Sequence, residues 1–392
     1  SLPPRSAKVA AFMAFGLFME GKIQQAEQIM GTHMTDQHAA GSKGISGDGG
    51  VIGGIAHTVQ TAICLSRGDI EGAMDHSDRA LCSLPEDSIL AIALAHMNAG
   101  NTEKYCGHPQ RAFQHFSQGF AVSRQAKIPF IAVSLGNKMV SSLYQQGKLA
   151  GAEKVAGDVL EIIYDGGLEH SASRAWTDTL RLHILIEFSR YEGAQTLVRQ
   201  LESMEDRIRS VPTLGLLYLG LIRYYWAVGD PGAATDVLER FDRLERNHQL
   251  HTLVSGQIPP WRARIRLQEG HLTGAQEEEL LEEIRRARKR MNGTHDEDLI
   301  HMEAVLLARL QGPIAGIFLL EELVQRTDEA GAALKQVEAL VELARLYRLD
   351  HREEQFREVL DRARVLATEL GYQRLLARIQ DFGGQAHAPQ GS

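Results

Sequence analysis

The sequence predicts an all-α chain, a right-handed superhelix of about nine helix-turn-helix repeats with a period of roughly 40 residues. Three observations predict it. A Gly-x-x-x-x-Ala turn recurs at Gly21/Ala26, Gly68/Ala73, Gly107/Ala112, Gly147/Ala152, Gly229/Ala234 and Gly270/Ala275, with Ser189 in the Gly place before Ala194 and degenerate copies at Gln311/Gly316 and Asp350/Gln355. Apolar residues follow helical spacing between these turns, as in Leu182, Ile184, Leu185, Ile186 and Phe188. Strand signals are nearly absent.

The elements follow in order. Residues 1–40 hold a first hairpin, Lys8–Glu20 and Ile23–Met30 about the turn at Gly21. Residues 41–54 place seven glycines in fourteen positions, and each Gly costs a helix about 1 kcal/mol against Ala, so a flexible loop is expected there. A phosphate-cradling loop is not: Ile55-Ala56 stands where Lys-Ser/Thr is needed, and Ile52 where a dinucleotide loop needs its third Gly. Residues 55–382 then form the solenoid. Its helix pairs are expected near 55–67/70–83, 88–105/109–125, 129–146/149–164, 173–188/191–207, 212–228/231–247, 257–269/273–291, 296–310/314–327 and 331–348/352–370. Pro85 closes one helix and opens the next, and Thr294-His295-Asp296-Glu297 reads as a capping box. Residues 383–392 (GGQAHAPQGS, with Gly384 from the first pair) read as a disordered tail. Within each repeat, Gly suits a tight turn and the small Ala a close helix crossing; Gly100, seven before Gly107, serves the same closeness.

Composition narrows the function. The formal charge of -8, from 50 acidic and 42 basic residues, does not favour nucleic-acid phosphates. The basic run Arg285–Arg290 follows a glutamate-rich stretch and reads as a solvated face with four-residue Glu-to-Arg pairs. Cys64, Cys82 and Cys106 form no disulfide framework and fit a reducing cytoplasm. The apolar stretch Val9–Met19 is too short to span a bilayer and lacks the flanks of a secretory signal. A cytoplasmic chain without membrane contact is expected.

The spacing Asn98-x-Gly100-x6-Gly107-x4-Ala112 resembles the tetratricopeptide (TPR) pattern with a longer unit. Further likeness lies in Leu65-Ser66-Arg67-Gly68-Asp69-Ile70 with Ala73, in Ala80-Leu81-Cys82-Ser83-Leu84-Pro85-Glu86-Asp87, and in Gln145-Gln146-Gly147-Lys148-Leu149 with Ala152. Their succession over about residues 2–370 resembles the sensor region of MalT-type, ATP-dependent LuxR-family transcriptional activators. The resemblance implies a small-molecule inducer as ligand. It also implies self-association, or contact with the nucleotide-binding and DNA-binding modules of a full-length regulator. No Walker A motif stands in this chain, and no residue is assigned to ATP, to DNA or to any cofactor.

TPR-like repeats line a concave face with the first helix of each pair, at positions 2, 5, 9 and 12 when the turn Gly is 15. That frame selects Asn101, Asn137, Ser141, Tyr144, Trp176, His183, Arg223, Trp226 and Arg264 as candidate ligand-binding residues. The later repeats supply the blander Leu340, Ala344 and Tyr347. Arg223 and Arg264 suit a carboxylate or phosphate, the tryptophans a sugar or aromatic ring, and Asn101, Asn137 and Ser141 its orientation. His295, Asp298 and His301 share a helix face, but three ligands on one helix make a poor metal site and the capping box explains the acidic turn. No nucleophile–base constellation stands out, so an enzyme is not expected. An inducer-sensing domain is the leading expectation. A TPR scaffold gripping a peptide or protein partner is the alternative, since such grooves use the same positions.

Overall fold

The computed structural model describes residues 48–248, 252–270, 272–291, 293 and 295–384, with eight scattered positions between 9 and 29. The described residues are helices and short connections, with no strand among them. The chain divides into two compact units, residues 1–139 and 140–392. The boundary falls within one helix, Pro129–Gln145.

In the first unit the helices are α1 (Asp48–Arg67), α2 (Ile70–Ser83), α3 (Ile89–Tyr105), α4 (Pro109–Gln125) and the start of α5 (Pro129–Gln145). The hairpin expected over residues 1–40 lies almost wholly outside the described residues, as do residues 41–47 of the expected glycine-rich loop. Residues 48–54 correct that loop: they are the opening turns of α1. Tertiary packing overrides the poor helix propensity here. A Cβ added at Gly54 would stand 2.5 Å from the Leu84 side chain, and one at Gly50 would meet the Ser83 carbonyl at 3.0 Å. The small residues let α1 lie close against the end of α2.

In the second unit, α5 gives way to α6 (Leu149–Asp165), α7 (Ala172–Glu187), α8 (Tyr191–Met204), α9 (Val211–Ala227) and α10 (Pro231–Asn247). A short α11 (Thr252–Ser255) precedes α12 (Ile258–Glu269), α13 (Gly274–Met291), α14 (Glu297–Gln311), α15 (Pro313–Glu329), α16 (Ala333–Leu349) and α17 (Glu353–Leu370). Most ends fall within two residues of the expected ones. A last helix, α18 (Gln373–Gly384), was not anticipated. It follows Gly371, whose φ of 75° ends α17 in the left-handed region. It also takes in residues 383–384 of the expected tail; residues 385–392 lie outside the described residues.

The turn grammar has a backbone cause. Gly68, Gly107, Gly147, Gly229 and Gly270 all have φ between 75° and 79°, and Ser189 holds the same place at 54°. In the degenerate copies the left-handed residue stands one position later than expected, at Gly312 and His351. The partner alanines Ala73, Ala112, Ala152, Ala194 and Ala234 are fully buried at the helix crossings. Ala275 departs from this and is exposed. The turn after Gly270 is two residues longer, so α13 starts later and Glu277 takes the crossing position. Its buried carboxylate is answered by Arg309 at 2.6 Å. Gly316 fills the crossing position on α15, where a Cβ would stand 2.5 Å from the Ala304 carbonyl of α14.

Each unit buries its own apolar residues. In the first, Phe116 and Leu135 are fully buried. In the second, one cluster gathers about Leu182, Leu217 and Phe241 on α7, α9 and α10. Another joins Leu149 of α6 to Leu320, Leu340, Leu346 and Tyr372, so the last hairpins pack against an early one. Among the described residues, no helix is long and apolar enough to cross a membrane.

A paired substitution tests the crossing geometry. Gly316→Ala is expected to destabilise the chain by about 1–3 kcal/mol through overpacking. Gly157→Ala lies mid-helix in α6 with open space around the new methyl group, and is expected to stabilise by up to about 1 kcal/mol. Urea denaturation of the two variants beside the parent chain reads both.

Candidate functional site

The inner helices of the second unit carry a ladder of buried charge. At its centre is Glu187, at the end of α7 and wholly buried. Its carboxylate accepts from Arg223 of α9 and from Arg374 of α18, whose Nη2 lies 3.0 Å away and Nε 3.2 Å from both oxygens. Tyr144 of α5 reaches the same carboxylate at 3.5 Å. Arg374 also donates to Glu338 of α16 at 2.9 Å. Glu338 takes Lys335 at 3.1 Å, and Lys335 reaches Asp298 of α14 at 2.8 Å. Asp298 accepts from Arg264 of α12 at 2.7 Å. Apart from the contacts made by Arg374 with Glu187 and by Lys335 with Glu338, these pairs lie about one repeat apart in sequence, which is how successive inner helices meet.

Aromatic rings flank the ladder. Arg223 lies 5.4 Å from the Tyr144 ring centre, Arg264 lies 4.7 Å from that of Trp261, and Arg374 stands 6.0 Å from Trp226. Trp226 and Trp261 meet edge to face at 5.5 Å. The His183 ring lies 5.9 Å from Tyr144, and its Nε2 is buried with no hydrogen-bond partner among the described residues, as is the Tyr372 hydroxyl.

The charges shift one another. Burial opposes ionisation of Glu338, but Lys335, Arg374 and Arg264 outweigh it and hold its carboxyl well below the usual range. Asp298 is likewise held low against its own burial by Lys335 and Arg264. Burial, then Arg223 and Lys335, push His183 down to about 3. Burial and Arg264 push His301 down to about 4. Both imidazoles are neutral at pH 7.

Of the sequence-selected residues, this unit brings together Tyr144, His183 and Arg223. Trp226 and Arg264 stand further along the same ladder. Ser141 and Trp176 are half-buried. In the first unit, Asn101 accepts from the Lys138 ammonium at 2.8 Å, and Asn137 is buried. Burial, and then Lys104, lower Lys138 to about 7. The His295/Asp298/His301 face is not organised for a metal: Asp298 is engaged by two cations, and among the described residues no group of three or more His, Cys, Asp or Glu could hold one.

Sequence reasoning missed Glu187, Lys335, Glu338 and Arg374. The projected frame placed Leu340, Ala344 and Tyr347 inward, whereas all three are buried in the apolar cluster. A signal was present: Lys335, Glu338, Glu342 and Arg345 are spaced three, four and three apart, which is one helical face.

A family model described as the MalT-like TPR region matches residues 54–379. A search of curated proteins finds no match. Among solved structures, a Rap protein complexed with competence and sporulation factor superposes with a TM-score of 0.71 at 12% identity, covering 94% of this chain and 99% of that one. A tetramer of Cut9 and Hcn1 from the APC/C matches at a TM-score of 0.42 and 12% identity, covering 98% of this chain and 84% of that one. The first likeness shows a shared TPR-like helical-repeat fold.

Two expectations follow. Glu187→Ala strands two buried guanidinium groups and is expected to destabilise the chain by about 3–5 kcal/mol; adding Arg374→Ala should recover part of this, which a double-mutant denaturation series measures. The second concerns acid. His183 and His301 have folded values near 3 and 4 against 6.5 for a free imidazole, so the unfolded chain binds protons first. Stability is therefore full above about pH 6.5 and declines as pH falls through 6 and 5 towards the folded values. His301→Gln should flatten that decline in melting temperature measured from pH 7 to pH 4.5.

Proposed function

Since the chain belongs to the MalT-like TPR family, we propose that it senses a small-molecule inducer for a MalT-like LuxR-family transcriptional regulator. The inducer binds on the inner helices of the second unit, against Tyr144, His183, Arg223, Trp226 and Arg264. The observation that carries this reading is the ladder itself. A buried ion pair is commonly no more stabilising than apolar residues of the same volume, so a core of this polarity is poor value as a structural device alone. It does suit recognition, where a few polar groups among aromatic walls fix a ligand's orientation.

A ligand that takes hydrogen bonds from Arg223 or Arg374 competes with Glu187 for them. It thereby loosens the tie between α7 and α18. The shift it can drive equals its preference for the loosened state over the tied one. In the regulator this change is passed to self-association, or to contacts with nucleotide-binding and DNA-binding modules, in the cytoplasm. The segment itself is not catalytic and does not touch DNA. A second reading, a scaffold that holds a peptide or protein partner, has one observation in its favour: the Rap neighbour of the same fold is itself solved with a bound factor.

A thermal-shift screen against sugars, organic acids, aromatics, acyl compounds and short peptides separates the two. A ligand at 100 times its Kd stabilises by about 2.7 kcal/mol. A small-molecule hit is expected, lost in Arg223→Gln and weakened in Trp226→Ala, each variant first checked for its own melting temperature. Stabilisation by peptides alone would establish the scaffold instead.

A further inference from the structure

The ladder does not balance. Glu187 is shared by Arg223 and Arg374, Glu338 by Arg374 and Lys335, and Asp298 by Lys335 and Arg264. Glu342 of α16 is matched by Arg345 at 2.6 Å. That leaves Arg378, one turn beyond Arg374 on the same face of α18, with no carboxylate within ion-pairing distance among the described residues, although Glu342 acts on it from further off. Six cations therefore stand against four carboxylates, an excess of two positive charges, in a chain whose formal charge is -8. The sign of this interior is opposite to that of the protein around it.

Arg378 is drawn into the same field. Burial lowers its guanidinium from the ordinary value; Arg374 and Arg264 add to the shift, while Glu342 and Glu338 oppose it. Arg264 is preset for binding. Its plane is held near Trp261, and only Nη2 is committed, to Asp298. The rest of its fork has no hydrogen-bond partner among the described residues, and a guanidinium offers five N–H donors in a fixed geometry that matches carboxylate and phosphate oxygens. His301, neutral on the neighbouring turn of α14, adds a donor or acceptor without adding charge.

We propose that this part of the interior binds a small dianion, a phosphoryl group or a dicarboxylate, held between Arg264 and Arg378. Two negative charges cancel the excess, whereas a neutral ligand leaves it uncompensated. The proposal rests on the sensor reading above and narrows its ligand. It also moves the anion contact away from Arg223, which Glu187 already occupies.

The test titrates the intact chain with inorganic phosphate and, separately, with succinate, with sodium chloride keeping ionic strength constant. The melting temperature should rise with at least one of them, and Arg378→Gln should weaken that apparent Kd by about tenfold or more, as for loss of one charge-assisted contact. Arg378→Gln removes an unpaired cation, so its own melting temperature without anion should equal or exceed that of the parent. Arg266→Gln, an exposed site on α12, should titrate as the parent does. A rise with phosphate alone assigns a phosphoryl ligand, and one with succinate alone a dicarboxylate. No rise with either, or the same rise in Arg378→Gln, overturns the proposal. The sensor reading fails separately: a neutral compound that stabilises the parent but not Arg223→Gln would keep that reading while the anions stay silent.

Discussion

The second unit turns on one buried carboxylate. Glu187 accepts from Arg223 on the next inner helix and from Arg374, 187 residues further along the chain. In a helical-repeat chain most contacts are between neighbours, so each added hairpin is a local event. The pair of Glu187 with Arg374 is different in kind, since it can form only when every intervening hairpin of the unit is in register. Apolar packing accompanies it: Gly147 approaches the Tyr372 hydroxyl so closely that a Cβ there would stand 2.4 Å away, with Ala333 and Leu370 at 3.2 Å. A side chain at Gly147 would push the last hairpins off the early ones and pull Arg374 from its partner.

Such a closure is costly to break. Removing either partner is costly because the other charge remains out of water. Aromatic rings flank Arg223, Arg264 and Arg374 and add cation–π attraction to their ion pairs. An interior built this way is held by the placement of charges, where an apolar one is held by volume alone.

Much of the architecture was legible before any coordinates. The turn glycines are a backbone requirement, and a requirement for positive φ leaves a mark that survives when everything around it varies. The crossing alanines are a contact requirement, equally local. Where these marks weakened, so did the reading: Gln311 and Asp350 were one position early because Gly312 and His351 take the left-handed backbone, and Ala275 misled because two extra turn residues passed its role to Glu277. The glycine-rich run at 48–54 misled in the opposite sense, because close approach to α2 favours the residues that helix propensity penalises. The frame set by the period placed Tyr144, His183, Arg223, Trp226 and Arg264 on the inner helices that carry the ladder. Their partners on α16 and α18 were not found, because the same frame extended to those helices selects the apolar face.

The sequence by itself determined the repeat, its period, the all-helical class and the family, since each rests on interactions within one hairpin or between adjacent ones. Tertiary structure alone decided which inner-face charges meet. Glu187 and Arg374 belong to no shared period or motif. Their encounter depends on the accumulated geometry of every hairpin between them, and each small error in helix phase would carry the two side chains apart. Burial then set the rest, holding His183 and His301 neutral and lowering the Arg378 guanidinium from its ordinary value. These outcomes follow from the loss of water around groups whose neighbours only the folded chain brings together.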